Sequence, residues 1–256
     1  MPIVVSAQQA LENRRENTFK QGIAKPFHRR LYMGSEPNRG GTVESEKLSL
    51  PQAYLVEQPS ESTVAPHFHD TNQFQVFVRG DGLFGRKPVN GLTIHYARAH
   101  TAYGPIVARD SDVHYLTLRN CWDSGAKILP ENRSKMQKIE RLHRIVEDVH
   151  VPDPVELSTL RMSRGVDVVP LEDDGLGVRR FDLPPAGGCA LGFEQPGAGA
   201  YAFVINGQIV YDDLTYEAHS LLYTGPDEAP LQVSAGGQGA IVLLLQFPPE
   251  PAELSA

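Results

Sequence analysis

Residues 66 to 80 read Pro-His-Phe-His-Asp-Thr-Asn-Gln-Phe-Gln-Val-Phe-Val-Arg-Gly. Side chains alternate between the two faces of a β-strand, so a His-x-His pair on a strand places His67 and His69 on one face. Two neutral imidazoles that converge on one ion supply half of a metal site. An oxygen ligand four residues further on and a histidine from a later strand can complete it. This stretch therefore predicts β-structure with a metal pocket.

The chain on both sides of this stretch also reads as short strands. Apolar runs alternate with turn residues from about Leu48 to Trp122 and again from about Leu157 to Phe247. The 23 glycines and 20 prolines suit many turns, because glycine tolerates positive φ and the proline ring presets φ to a value that turns use. We therefore expect an all-β fold.

Two local patterns give further expectations. Between Pro130 and Asp148, apolar residues recur at helical spacing with charges between them, which predicts one amphipathic helix that joins two β-units. Asn206-Gly207 between two apolar runs predicts a β-hairpin. Gln73 to Gly80 can be laid over Ala200 to Gly207 at an offset of half the chain, as a duplicated β-barrel requires.

The His-x-His stretch resembles the first motif of the cupins, His-x-His, three or four residues, Glu, six residues, Gly. The matching residues are His67, His69, Gln73 and Gly80, with glutamine at the glutamate position. The resemblance covers about residues 50–120 well and about 160–248 loosely. It implies two tandem cupin (RmlC-like, jelly-roll) barrels with a short linking helix. The domains expected are an N-terminal arm (1–48), a metal-site barrel (49–128), a helical linker (129–155) and a degenerate second barrel (156–250).

The second cupin motif supplies a further histidine from a downstream strand. His100 best fits the usual distance to the final strand, and His95 is the alternative. The two differ by an odd number, so on a regular strand only one of them faces inward. The resemblance thus implies a divalent metal ion (Fe, Zn, Ni or Mn) held by His67, His69, Gln73 and His100. Gln73 is a neutral ligand and suits a hard ion less well, or else it hydrogen-bonds a substrate.

Other residues of this half are candidate substrate contacts, although the pattern identifies no catalytic residue. An arginine that lines a barrel can bind a carboxylate in bidentate fashion, and Asp70 can orient His69. The candidate substrate-binding residues are Gln75, Tyr96, Arg98 and Tyr103. In the second half, Glu194, Pro196 and Ala200 stand at the positions of His67, His69 and Gln73, so we expect that barrel to be metal-free.

Three functions are consistent with these residues. The first is a metal-dependent enzyme that acts on a small organic acid or aromatic substrate, as a dioxygenase or as a lyase or isomerase. The second is a non-catalytic barrel that binds a small molecule. The third is a metal-independent, epimerase-like enzyme with a histidine as general base and a tyrosine as general acid.

The composition limits the classes of partner and the compartment that we expect for this protein. A net charge of −7 argues against a nucleic-acid partner, which needs a basic face. Cys121 and Cys189 form no Cys-x-x-Cys pair and indicate a reducing compartment. No apolar run approaches the ~18 residues of a membrane span, so we expect a cytoplasmic protein without a membrane partner. Sheet edges usually pair, which favours a homodimer.

Overall fold

The protein is described by a computed structural model for residues 1–17, 26–34 and 50–249. The chain divides into two compact units. The first unit runs from Leu11 to Val149, and the second joins Met1–Ala10 to the chain from His150 onward. The predicted N-terminal arm is thus shared, because its first strand belongs to the second unit. Residues 18–25 and 35–48 of that arm lie outside the described residues.

The first unit is made of short strands, as the alternation of apolar runs and turn residues predicts. Its helical segments are α1 (Ala7–Glu12), which crosses the boundary between the units, and a 3₁₀ turn at Arg133–Lys135. Its strands are β2 (Arg14–Asn17), β3 (Phe27–Met33), β4 (Gln52–Gln58), β5 (Ser62–Val64), β6 (His67–Phe68), β7 (Gln73–Arg79), β8 (Gly82–Phe84), β9 (Lys87–Pro88), β10 (Thr93–Ala97), β11 (Ile106–Ala108), β12 (Val113–Arg119), β13 (Lys127–Ile128) and β14 (His143–Val146).

Three antiparallel sheets hold these strands. The largest has the order β14-β10-β7-β12-β4-β3-β2, a second has β5-β11-β8-β9, and β6 pairs with β13. One apolar cluster includes Tyr54 on β4, Phe77 on β7, Ile106 on β11 and Tyr115 on β12. The inner face of the large sheet therefore packs against the smaller sheet, as in a jelly-roll barrel.

The prediction of an amphipathic helix between Pro130 and Asp148 is wrong. His143–Val146 instead forms β14, which pairs with β10 so that Ile94 lies opposite Val146. Sheet pairing satisfies the backbone of this segment and overrides the helical spacing of its apolar residues. The short linking helix lies later, at α2 (Pro154–Thr159), where Asp153 and Glu156 form a capping box.

The second unit is a further antiparallel β-structure. Its sheet has the order β1-β20-β18-β21-β16-β15, with β17 beside β21 and β19 beside β18. Its strands are β1 (Ile3–Val5), β15 (Arg164–Val169), β16 (Gly177–Leu183), β17 (Gly188–Leu191), β18 (Ala200–Tyr211), β19 (Leu214–Glu217), β20 (Leu221–Thr224) and β21 (Leu231–Gln246). Its core is one cluster of apolar side chains from β16, β18, β20 and β21.

The internal repeat appears in the strand register. Gln75 lies opposite Thr117 in the first unit, and Ala202 lies opposite Leu244 in the second, with the same half-chain offset on both strands. The hairpin predicted at Asn206-Gly207 is wrong, because β18 continues through it with a shift in register. Gly207, with φ of 74°, corresponds instead to Gly80, with φ of 105°.

Within residues 1–17, 26–34 and 50–249, no helix is long and apolar enough to cross a membrane.

Candidate functional site

Two histidines enter the interior of the first barrel side by side. His67 lies on β6, and His69 follows it by two residues, so their rings share one face and lie 5.3 Å apart between centroids. Both side chains are buried, with 4% and 6% of their surface exposed. Burial lowers the pKa of His67 to about 4 and that of His69 to about 3, so both imidazoles are neutral at pH 7.

Hydrogen bonds fix the tautomers of both rings. His67 Nδ1 lies 2.7 Å from the carbonyl oxygen of Ala65, and His69 Nδ1 lies 2.6 Å from Asp123 Oδ1. A carbonyl and a carboxylate only accept, so each Nδ1 carries the proton and each Nε2 has a free lone pair. Two Lewis-basic nitrogens therefore face the barrel interior.

Asp123, not Asp70, orients His69. Its carboxylate also accepts hydrogen bonds from the backbone N–H of Gly125 and of Asp70, at 2.7 Å and 3.0 Å. Burial alone would raise the pKa of Asp123, but its interaction and hydrogen bond with the His69 ring and the positive charge of Arg119 hold that pKa well below its usual range. Asp70 is 42% exposed and pairs with Lys127. The result is a buried carboxylate–histidine pair.

Backbone hydrogen bonds place Tyr103 beside the two histidines. His67 and Tyr103 exchange backbone hydrogen bonds of 3.1 Å and 3.0 Å, and their rings lie 4.6 Å apart. Gln73, the first residue of β7, donates from its amide nitrogen to the Tyr103 hydroxyl. Burial raises the pKa of Tyr103 far above its usual value, so the phenol keeps its proton.

Arg119 fills the centre of this group. It ends β12, is fully buried, and lies on the same strand face as Tyr115. Its Nη2 donates to Gln73 Oε1 and lies 3.2 Å and 3.3 Å from the two ring nitrogens of His69. Its Nη1 donates to Gln52 and, at 3.2 Å, to the hydroxyl of Tyr54. A permanent cation thus lies among neutral polar side chains.

Gln75 and His95 form the next layer of the interior. His95 Nδ1 lies 3.2 Å from Gln75 Oε1, and the two residues are directly opposite on β10 and β7. The His95 ring lies 4.9 Å from that of Tyr103. Burial holds the pKa of His95 well below its ordinary value, and its Nε2 is buried without a hydrogen-bond partner among the described residues.

The structure separates His100 from His67 and His69. Its ring packs 5.5 Å from Phe68, which lies between the two histidines in sequence and points to the opposite side of the strand. Its backbone has φ of 57° and its N–H donates to the His69 carbonyl. Of the two alternatives, His95 is therefore the one that faces the interior, and Tyr103 occupies the place expected for His100.

Two predicted substrate contacts also lie elsewhere. Tyr96 stacks 5.0 Å from Phe74 on the face of the sheet opposite to His95 and Gln75. Arg98 pairs with Glu140 at 2.8 Å. Gln75 and Tyr103 do lie in the interior, so the structure brings together six of the predicted residues: His67, His69, Gln73, Gln75, His95 and Tyr103.

These residues do not fit a divalent metal ion. In the described ranges, no three His, Cys, Asp or Glu side chains lie close enough together to hold one. Gln73 and Tyr103 are neutral, and they already bond to each other. A unit charge about 4 Å from the Arg119 guanidinium is repelled by about 4 kcal/mol at an effective dielectric of about 20, and a divalent ion by twice that.

Sequence reasoning missed Arg119 and Asp123. For Arg119 a signal existed, because Val113, Tyr115, Thr117 and Arg119 share one parity along an apolar strand. For Asp123 there was none, since it lies 54 residues after His69 in an irregular segment.

No protein-family model and no curated protein matches the sequence. Solved structures do match. A candidate dioxygenase from Nostoc punctiforme has a TM-score of 0.65 and 10% identity, over 96% of this chain and 82% of that one. The fold is that of the cupins.

Two further cupin structures are similar. The oxalate decarboxylase of Lactobacillus farciminis, in a formate complex, has a TM-score of 0.57 and 12% identity, over 97% of this chain and 87% of that one. The pirin YhhW of Escherichia coli, in complex with nickel(II), has a TM-score of 0.56 and 12% identity, over 97% of this chain and all of that one. At these identities the likeness concerns the fold.

Proposed function

We propose that the first barrel is an acid–base site for a small organic acid, with His69 as the base and Tyr103 as the acid. The observation that carries this proposal is the buried pair of His69 Nδ1 and Asp123 Oδ1 at 2.6 Å, with the Tyr103 ring 6.4 Å from that of His69. A carboxylate that holds one ring nitrogen fixes the tautomer and stabilises the imidazolium that forms when the other nitrogen takes a proton.

The substrate class follows from the charges inside the barrel. Arg119 brings a guanidinium into the interior, where it donates hydrogen bonds to the neutral side chains of Gln52, Gln73 and Tyr54. Asp123 balances this charge from behind the His69 ring. A small carboxylate is therefore attracted to the interior, where Tyr103 keeps its proton and can donate it. The residues that bind it are Gln73, Gln75 and His95 beside Arg119.

A metal-dependent cupin enzyme, dioxygenase-like or lyase- or isomerase-like, is the second candidate. One observation favours it: His67 and His69 both hold their proton on Nδ1 and present Nε2, as metal-ligating histidines do. The ligand set proposed from the sequence, with His100 as a member, would require His100 to leave Phe68. A barrel that binds a small molecule without reaction is the remaining alternative.

We further propose that the second barrel is degenerate and serves packing, in a cytoplasmic homodimer. Its positions equivalent to Gln73 and Gln75 are Ala200 and Ala202, which belong to an apolar cluster. Light scattering that gives a 28.2 kDa monomer would contradict the dimer.

Proton exchange tests the acid–base proposal. We would incubate the protein in D₂O with a panel of small carboxylic acids, with and without a chelator, and follow loss of substrate C–H signals by NMR. We expect exchange that survives chelation, falls roughly 100-fold or more in His69→Asn and Tyr103→Phe, and is unchanged in the control His219→Asn in the second unit.

The alternatives give different results. Exchange or turnover that stops with chelator and returns with added metal supports the metal-dependent enzyme. Saturable binding, seen as a thermal shift, without exchange of any acid supports the non-catalytic barrel. Either result overturns the acid–base proposal.

A further inference from the structure

Arg119 lies at the point on which the cupin-motif side chains converge. Its Nη2 contacts Gln73 Oε1, and it is almost equidistant from the two ring nitrogens of His69, at 3.2 Å and 3.3 Å. A nitrogen that is equally far from both lies over the face of the imidazole and not along one lone pair. The positive charge of Arg119 also acts to lower the pKa of His67 and of Tyr103. Two of the side chains expected to hold a metal, His69 and Gln73, thus contact this guanidinium, and their neighbours His67 and Tyr103 lie beside them.

Several contacts hold the Arg119 guanidinium in place. It is fully buried and donates to Gln73, Gln52 and Tyr54, with a further cation–π contact of 5.6 Å to the Tyr54 ring. These partners come from β4 and β7, the two strands that flank β12. Neighbours on both sides therefore fix its position, and a small motion would not clear the space.

The two changed residues of the motif match a guanidinium better than a metal. The Gln73 amide accepts from Arg119 with its oxygen and donates to Tyr103 with its nitrogen, which a carboxylate could not do. Tyr103 presents a protonated hydroxyl where a metal would need a basic nitrogen. Each change removes a metal ligand. Gln73 becomes a hydrogen-bond partner of the cation, and Tyr103 becomes a partner of Gln73.

We propose that the Arg119 guanidinium takes the place of the metal ion, so that this barrel carries its cation as a covalent part of the chain and excludes divalent metals. Whether the site then performs acid–base chemistry is a separate question, and neither proposal depends on the other. The consequence is that metal binding can be restored by removing the guanidinium and returning the two ligands.

Metal titration of four proteins tests this. We would purify, without a histidine tag, the wild type, His67→Ala/His69→Ala, the double variant Gln73→Glu/Tyr103→His, and the triple variant Gln73→Glu/Tyr103→His/Arg119→Gln. Circular dichroism and the fluorescence of Trp122 establish that each is folded. Mn(II), Ni(II) and Zn(II) are then titrated calorimetrically, and bound metal is measured by plasma mass spectrometry.

We expect the wild type to bind no more metal than His67→Ala/His69→Ala. The triple variant should bind about one ion per chain, at least roughly 100-fold tighter than the double variant, in which Arg119 remains. A matched control places the carboxylate one interior position further along, as Gln75→Glu/Tyr103→His/Arg119→Gln, and should bind as weakly as the wild type.

Three results would overturn the proposal. The first is stoichiometric metal in the wild type that is lost in His67→Ala/His69→Ala, which decides the matter even if the triple variant does not fold. The second is a double variant that binds as tightly as the triple variant, because Arg119 would then exclude nothing. The third is a folded triple variant that binds no metal.

Discussion

In the first unit Gln75 lies between His95 on β10 and Thr117 on β12, whereas in the second unit Ala202 lies between Leu222 and Leu244. The register of the two units is the same, offset by half the chain, yet the polar layer of the first has become wholly apolar in the second. One layer further the change is partial: Gln73 corresponds to Ala200, whereas Arg119 corresponds to Gln246, which is uncharged but still polar.

The second unit contains a cavity beside this layer. A cavity of about 220 Å³ borders Ala200, Leu244 and Gln246, at the end of the barrel where the first unit has Gln73, Thr117 and Arg119. Gln246 turns its amide nitrogen to the backbone carbonyls of Gly175 and Gln195, at 2.9 Å and 3.0 Å. The second barrel therefore satisfies this polar counterpart of Arg119 locally and needs no interior network.

This difference shows which interior side chains the fold itself requires. The second unit shows that an apolar interior is enough for this strand register, so the buried Gln, His and Arg side chains of the first are not required by the fold. Burying such groups costs free energy unless every hydrogen bond is made. The fold alone therefore gives no reason for the buried polar side chains of the first unit.

The largest expected effect comes from removing the buried charge of Arg119. It tests whether the buried polar side chains of the first unit depend on one another. Arg119→Met leaves Gln52, Gln73 and Asp123 without their buried cation, which should destabilise the first unit by about 3 to 5 kcal/mol. Gln246→Met, at the equivalent position of the second unit, loses two backbone hydrogen bonds and should cost about 1 to 2 kcal/mol. Urea unfolding measures both.

The single tryptophan makes the two units distinguishable. Trp122 belongs to the first unit, so its fluorescence follows that unit, while circular dichroism follows both. Equal losses of unfolding free energy in the two variants would contradict the comparison. They would mean that the first unit depends on its buried Arg119 no more than the second unit depends on Gln246.

Acid should unfold the first unit before the second. The folded-state pKa values of His67 and His69 are about 4 and about 3, below the roughly 6.5 of an unfolded histidine. As pH falls below about 6.5, the unfolded chain takes up protons that the folded chain refuses, so stability falls with pH. Two such histidines predict a loss of roughly 3 kcal/mol between pH 7 and pH 5.

Tryptophan-detected unfolding at a series of pH values checks this slope. His69→Gln should reduce the loss by roughly 2 kcal/mol, the share of one histidine. The control is His150→Gln, an exposed histidine of the second unit, which a tryptophan signal from the first unit should not detect. A first unit whose stability is constant from pH 7 to pH 5 would show that its histidines are not held neutral by burial.

The sequence predicts the parts of this architecture that rest on local pattern. Strand alternation and glycine turns give the all-β fold, and His67, His69 and Gln73 follow from spacing along one strand. The choice between His100 and His95 could not be made from spacing, because the irregular segment after β10 breaks the parity on which it depends. The helix expected before Asp148 fails for a related reason: β10 offers its residues a sheet edge, which no local pattern reveals.

The rest of the site is assembled by tertiary contacts. Asp123 reaches His69 because β13 returns beside β6, a pairing that the spacing of these residues does not encode. Arg119 had the correct parity, but its role depends on facing Gln73 and His69 across the barrel. The two residues carry opposite charges, and both become informative once the strand order is known.

The smallest expected difference between the two units concerns a glycine turn that both of them share. Gly80 and Gly207 occupy equivalent positions at positive φ, and a Cβ on either would lie 2.1 Å from a backbone oxygen, that of Asp112 or of Gly239. Alanine adopts such a φ at a cost of about 1 to 2 kcal/mol, to which the contact adds. Gly80→Ala and Gly207→Ala should therefore each lose at least about 2 kcal/mol of unfolding free energy, in similar amounts. Fluorescence measures the first loss and circular dichroism the second. Alanine tolerated at one glycine but not at the other would mean that the shared register has diverged at that turn, and that the half-chain offset does not extend through it.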